Sequence, residues 1–205
     1  MIKITNLSIY KNNNLVFDNV NAELQGSIAI IGANNTGKTK FIKAICSREK
    51  IESGKIEICE EFVLQHNLNK KNNGFMYVPK NFPTFLGDLK VKHILSFFIK
   101  VKQYRSNLLE YCSILESSKF KELSILQKLI LFIYIGIENQ KRIFLFDEPL
   151  LYLDMYEKIQ FKEIINKYLN DYIIILTANN LDNEFLGDFK QKFLIQEGKL
   201  KQVRC

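Results

Sequence analysis

The spacing of apolar and polar positions changes period several times along the chain. Residues 2–9, IKITNLSI, alternate and predict a strand. LVFDNVNAEL (15–24) alternates again through Leu15 and Phe17 and, after a break, Val20, Ala22 and Leu24. Gln25-Gly26 marks a turn. SIAIIG (27–32) is a short continuous apolar run, the pattern of a strand buried on both faces. In KTKFIKAICS (38–47), Phe41, Ile42, Ile45 and Cys46 fall at helical spacing. SGKIEI (53–58) leads to a polar stretch, HNLNKKNNG (66–74), read as a loop. FMYVP (75–79) predicts a strand stopped by Pro79. From Val91 to about Ser118 the pattern is helical with interleaved aromatics, and LSILQKLILFIYIGI (123–137) is a strongly apolar helix. RIFLFDEP (142–149) and YIIILTA (172–178) are two more fully buried strands, with the amphipathic EKIQFKEIINKYL (157–169) between them. KFLIQEGKLKQV (192–203) closes with a hairpin about Glu197-Gly198.

Buried strands alternating with helices predict an α/β fold, a mostly parallel sheet with helices on both faces. The helical stretch 88–137 interrupts that alternation as an inserted subdomain. With 205 residues, 47% of them apolar, the chain has material for one domain with a real core. No run approaches the ~18 apolar residues of a membrane-spanning helix; the longest, LILFIYIGI (129–137), is about half that. The first residues lack the apolar centre of a signal peptide, so a cytoplasmic or organelle-matrix setting is expected. Cys46, Cys59, Cys112 and Cys205 are scattered, with no C-x-x-C and no His cluster, and are read as reduced, mostly buried thiols. His66 and His93 are read as ordinary loop and surface residues. The net charge of +7 could attract nucleic acid or an anionic membrane, but the lysines are spread over the whole chain and single out no partner.

Two motifs carry chemistry. IIGANNTGKTK (30–40) contains G-x-x-x-x-G-K-T between a buried strand and a helix, the context a phosphate-cradling loop requires. An ordinary turn needs fewer special residues. Backbone N–H groups of residues 33–39, including those of Asn34, Asn35 and Thr36, would form an anion nest at a helix N-terminus. Gly32 and Gly37 allow close backbone approach, Lys38 reaches the β- and γ-phosphates, and Thr39 holds Mg²⁺ through its hydroxyl. In the second motif, IFLFDEP, a buried strand delivers Asp147 and Glu148 at its C-terminal end, where ligands sit in open α/β sheets. Asp147 is placed to bind Mg²⁺, and Glu148 to orient or deprotonate an attacking water.

Over nearly its whole length the chain resembles the ATP-binding subunits of ABC transporters. Gly32 to Thr39 match the Walker A loop of that family, and Asp147 and Glu148 match Walker B and the catalytic glutamate. YLD (152–154) is similar to the D-loop, with Asp154 as its aspartate. ELSILQK (122–128) stands where the family has its LSGGQ signature, and Tyr10 where an aromatic often stacks on adenine. The resemblance implies a P-loop NTPase core over residues 1–205, with a mostly parallel sheet, N-terminal antiparallel β strands and a helical subdomain at about 88–137. It also implies ATP and Mg²⁺ as ligands.

Several positions depart from that family. Ile125 and Leu126 replace two signature glycines whose N–H groups approach the γ-phosphate held by the opposite subunit; Ser124 and Gln127 remain. Lys80 replaces a glutamine that senses metal and water. Asn179 replaces the switch histidine and can carry neither a proton nor a positive charge. Members of the family work as head-to-tail dimers, so a homodimer would carry ILQ in both sites and a heterodimer in one. NFPTFLGDLKVKHILSFF (81–98) resembles the region that docks on a membrane partner, with Phe82, Phe85 and Leu86 beside Lys80 as an exposed apolar surface; packing within the subdomain explains the same residues.

Three readings follow. The first is the ATPase subunit of a transporter, peripheral on the cytoplasmic or matrix face of a membrane beside a separate membrane-spanning permease. The second is a regulatory subunit that binds ATP and barely hydrolyses it. A soluble ABC protein acting on nucleic acid is the third and is disfavoured, because such relatives carry paired domains or long coiled coils. A GTPase is disfavoured by the lack of an N-K-x-D motif. The shortness of the chain resembles small exporters, such as those for haem or peptides.

Overall fold

In the computed structural model, which describes residues 1–11, 14–58, 74–99, 107–179 and 185–203, two β-sheets stack through an apolar layer. The smaller sheet has three antiparallel strands in the order β2-β1-β4: β1 (Ile2–Lys11), β2 (Asn14–Leu24) and β4 (Ser53–Ile58). Irregularities in the β1–β2 register, between Ile4 and Leu7 and again after Leu7 and Ile9, account for the break in alternation seen around Phe17 and Val20.

The larger sheet has six strands: β3 (Ser27–Ile31), β5 (Phe75–Val78), β6 (Ile143–Phe146), β7 (Ile173–Ala178), β8 (Gln191–Gln196) and β9 (Lys199–Val203), in the order β5-β6-β7-β3-β8-β9. All neighbours are parallel except β8 and β9, an antiparallel hairpin that turns through Glu197-Gly198. The central strands are buried on both faces, which is why they read as unbroken apolar runs. Their residues divide by parity. Ile28, Ile30, Ile143, Leu145, Ile173 and Ile175 face the small sheet and helix α1 (Lys38–Ile45). Ala29, Ile31, Phe144, Phe146, Ile174 and Leu176 face the remaining helices.

Those helices are α2 (Val91–Phe98), the single-turn α3 (Leu108–Tyr111), α4 (Ile125–Glu138) and α5 (Met155–Tyr168). Of the helical pattern expected from Val91 to about Ser118, residues 100–106 lie outside the described residues, and 112–118 are not helical. After α3 the chain turns back on α2. The N–H groups of Val91 and Lys92, in the first turn of α2, donate to the carbonyls of Ser118 (2.9 Å) and Glu116 (3.0 Å). Backbone donors that a helix start leaves without partners are satisfied by this returning segment. Helix α4 is apolar almost all round and lies flat on the sheet at Gly136, where a Cβ would stand 2.5 Å from the ring of Phe144.

Residues 66–73 of the expected polar loop, together with Cys59, His66 and Cys205, lie outside the described residues. Cys46 is buried and Cys112 half-buried, both as free thiols, and His93 is exposed on α2, all as expected. Among the described residues no helix is long and apolar enough to cross a membrane.

Candidate functional site

Four neighbouring parallel strands, β5, β6, β7 and β3, end on the same edge of the large sheet. Each delivers polar residues just beyond its last apolar position: Lys80 after β5, Asp147 and Glu148 after β6, Asn179 after β7, and the loop 32–37 after β3. Backbone bonds tie these ends together. Gly32 N–H donates to the Ala178 carbonyl (3.2 Å) and Asp147 N–H to the Val78 carbonyl (3.0 Å).

The loop enters α1 through Gly37 at φ +100°, a left-handed conformation natural to glycine. A Cβ there would lie 2.5 Å from Val16 Cγ1 and 2.8 Å from Phe17 Cε2. Gly37 is thus needed for the loop to pack on β2 as well as for its own turn. Among the described residues no side chain caps the α1 N-terminus, and its first turn holds no acidic residue, so its N–H groups and positive dipole end suit an anion.

Lys38 is 3% exposed. Its ammonium donates to the carbonyls of Gly32 (2.7 Å) and Ala33 (2.8 Å) and to Asn179 Oδ1 (3.0 Å), and pairs with Glu148 Oε1 at 3.0 Å. The other oxygen of Glu148 accepts from Lys80 Nζ at 2.6 Å. One carboxylate therefore bridges two ammonium groups. Burial pushes the Glu148 carboxyl up, but the hydrogen bonds from Lys80 and Lys38 outweigh it and hold the group below its ordinary range. The same bond raises Lys80 and keeps it cationic. Glu148 has φ +48°, and its N–H is anchored on Thr177 Oγ1 at 2.8 Å.

Asp147 accepts from the Thr39 hydroxyl (3.0 Å) and the Thr177 hydroxyl (3.2 Å) on one oxygen, and from the Tyr77 hydroxyl (3.1 Å) on the other. Burial first, and then the Asp147 charge, raise the Tyr77 phenol far above its ordinary value, so it stays a donor. Among the described residues no group of three His, Cys, Asp or Glu side chains forms a metal cage. A hydroxyl beside one carboxylate, facing a phosphate cradle, does suit Mg²⁺, which takes few protein ligands and completes its shell with water and phosphate oxygens.

A cavity of about 450 Å³ opens over this constellation, bordered by Asn34, Asn35, Gly37, Lys38, Lys80 and Glu148 among others. Thr36 closes the loop by donating to the Ala33 carbonyl (2.9 Å). Tyr10 lies on β1, 44% exposed, and does not border the cavity; Val16 of β2 does. Ser124 and Gln127 are placed elsewhere, as a reciprocal cap at the start of α4: Gln127 N–H donates to Ser124 Oγ (3.1 Å) and Ser124 N–H to Gln127 Oε1 (3.0 Å). Asp154 likewise caps α5, accepting from Glu157 N–H at 2.8 Å. Both caps stand apart from the phosphate cradle of their own chain.

The expected apolar surface at 82–86 needs correction. Leu86 is buried in the core, and Phe82 packs on Phe120 and Phe132 with ring centroids 5.7 and 5.4 Å away. Phe85 alone of the three is open, at 71% exposure, and with Phe98, Tyr77, Pro79, Arg48 and Lys141 it borders a groove of about 380 Å³. Sequence reasoning missed Tyr77 and Thr177. The hydroxyl of Thr177 inside the apolar run IIILTA was a readable signal, whereas Tyr77 passed as an ordinary strand aromatic.

A family model described as "ABC transporter" matches residues 17–151. The cytochrome c biogenesis ATP-binding export protein CcmA of Reclinomonas americana is 29% identical over 212 residues, covering 95% of this chain and 92% of that protein. The zinc import ATP-binding protein ZnuC of Wolbachia pipientis wMel is 26% identical over 195 residues, covering 89% and 75%. Among solved structures, MJ1267, an ATP-binding cassette of an ABC transporter, superposes with a TM-score of 0.79 at 17% identity, covering 100% of this chain and 91% of the other.

Proposed function

The chain belongs to the ABC transporter family, and we propose that it is the subunit that binds MgATP in the strand-end cavity and hydrolyses it at a dimer interface, driving a separate membrane-spanning permease. One observation carries this reading: the buried Lys38, the uncapped α1 N-terminus and the Thr39–Asp147 pair at 3.0 Å converge on one cradle. Residues 1–205 then act as one ATP-binding domain, with the helical region at about 88–137 as its subdomain. The chain would sit peripherally, on the cytoplasmic or matrix face of the membrane.

In this reading the loop N–H groups and Lys38 hold the phosphates. Thr39 and Asp147 hold Mg²⁺, which when bound neutralises charge on the phosphate oxygens. Tyr77 and Thr177 keep the Asp147 carboxylate turned toward Thr39. Glu148 takes the place of the group that positions the attacking water or accepts its proton. Ser124, at the start of α4, serves the cradle of the opposite subunit. The groove beside Phe85 receives the permease.

A second reading, ATP binding with slow hydrolysis, is favoured by the double ammonium contact on Glu148, which makes that carboxylate a weaker base. MgATP hydrolysis measured against protein concentration, with Glu148→Gln as control, separates the two. A rate rising more than linearly and lost in the variant supports a working homodimer. Bound ATP without turnover supports the second reading. A chain that binds no ATP overturns both.

A further inference from the structure

Lys80 shares the phosphate cavity with Asn34, Asn35, Gly37, Lys38 and Thr39, although it comes from a different strand end. The lysines bordering that cavity outnumber the carboxylates that border it. Lys40 pairs with Glu49 outside the lining. Among the described residues Lys38 and Lys80 both pair with Glu148, one oxygen each, at 3.0 and 2.6 Å. Two cations thus crowd one carboxylate beside the loop, while the neighbouring Asp147, whose charge also acts on Lys80, is engaged by the hydroxyls of Thr39, Thr177 and Tyr77. The two cations also differ in freedom. Lys38 is buried and fixed by two carbonyls and Asn179, whereas the Lys80 side chain is a third exposed, on a flexible four-carbon stem.

We propose that Lys80 is a phosphate-binding residue selective for the terminal group of a nucleoside triphosphate, with Glu148 as its counter-ion until that group arrives. The inference rests on the ATP-binding reading above and adds to it a source of triphosphate-over-diphosphate preference within this chain. A terminal phosphate carries more charge than one carboxylate and offers several acceptor oxygens, so it satisfies both ammonium groups and releases Glu148. A diphosphate, ending short of that place, leaves the Lys80–Glu148 pair intact. The preference therefore needs neither the switch histidine nor the signature glycines, the positions now held by Asn179, Ile125 and Leu126.

The test must separate a phosphate ligand from a mere latch on Glu148. In the Glu148→Gln background the charged latch is removed, leaving at most a neutral hydrogen bond from Lys80 to the amide oxygen, and on the reading above hydrolysis is blocked, so equilibrium affinities for ATP and ADP can both be read with Mg²⁺ by displacement of a fluorescent ADP analogue. Adding Lys80→Gln is expected to weaken ATP about tenfold to a hundredfold, the span of one lost charge-assisted bond, and ADP less than about twofold. Lys80→Arg in the same background is expected to restore most of the ATP affinity. Equal losses for both nucleotides, or no loss, overturn the role of Lys80 while leaving ATP binding in place. Failure of the wild-type chain to bind either nucleotide overturns the ATP-binding reading, and this inference with it.

Discussion

Restoring a glycine at Leu126 tests whether the altered signature is a simple loss or part of the architecture. Leu126 is 7% exposed and belongs to the apolar cluster beneath α4. Burying such a leucine rather than alanine is worth about 2–5 kcal/mol. One side of Leu126 borders a cavity of about 550 Å³ shared with polar residues such as Ser124, Gln127 and Glu163. Water can refill that side, so the lower half of the range applies, about 2–3 kcal/mol. Glycine instead of alanine in the first turn of a helix adds about 0.5–1 kcal/mol. Leu126→Gly should therefore cost about 3 kcal/mol, which for a chain of this size lowers the melting temperature by about 6–12 °C. The chain has no tryptophan, so guanidinium unfolding followed by far-UV circular dichroism is the suitable assay. A change below about 1 kcal/mol would refute the reasoning, because Leu126 would then not be holding α4 to the core.

Two further outcomes follow from the geometry. Gly37→Ala forces a side chain into a φ of +100° with its Cβ 2.5 Å from Val16; we expect a loss of about 2–4 kcal/mol and no thermal stabilisation by MgATP, while an unchanged melt that still responds to MgATP would contradict the packing described. Burial raises the Cys112 thiol to about 11, so at pH 8 its alkylation should run about a hundredfold slower than that of a free cysteine and quicken about tenfold per pH unit up to pH 10; peptide-resolved mass spectrometry of iodoacetamide labelling checks this, and rapid labelling at pH 8 would count against it.

Much of the molecule was legible in contiguous residues. Strands β3, β6 and β7 announced themselves because burial on both faces demands unbroken apolar runs, and the phosphate loop because its glycines, Lys38 and Thr39 act within one short segment. Asp147 and Glu148 were readable for the same reason, sitting directly after an apolar strand. Periodicity also located helix α4, whereas the capping pairs Ser124–Gln127 and Asp154–Glu157, though three residues apart in the sequence, were not read as caps.

Other features depend on which strand ends are neighbours, and no local pattern encodes that. The order β5-β6-β7-β3 sets Lys80, Glu148 and Lys38 against one another from positions 80, 148 and 38, and brings Tyr77, Thr39 and Thr177 onto Asp147. The burial of Leu86 and the cavity lining, which takes in Val16 rather than Tyr10, were likewise settled by packing between remote segments, not by their own neighbours in the chain. By itself the sequence determined where phosphate chemistry could occur, since a phosphate loop needs only a strand, a turn and a helix start. Tertiary structure alone decided that the carboxylate expected to act on water is held between two lysines. Side chains this far apart in sequence can pair only after the parallel strands have aligned their ends.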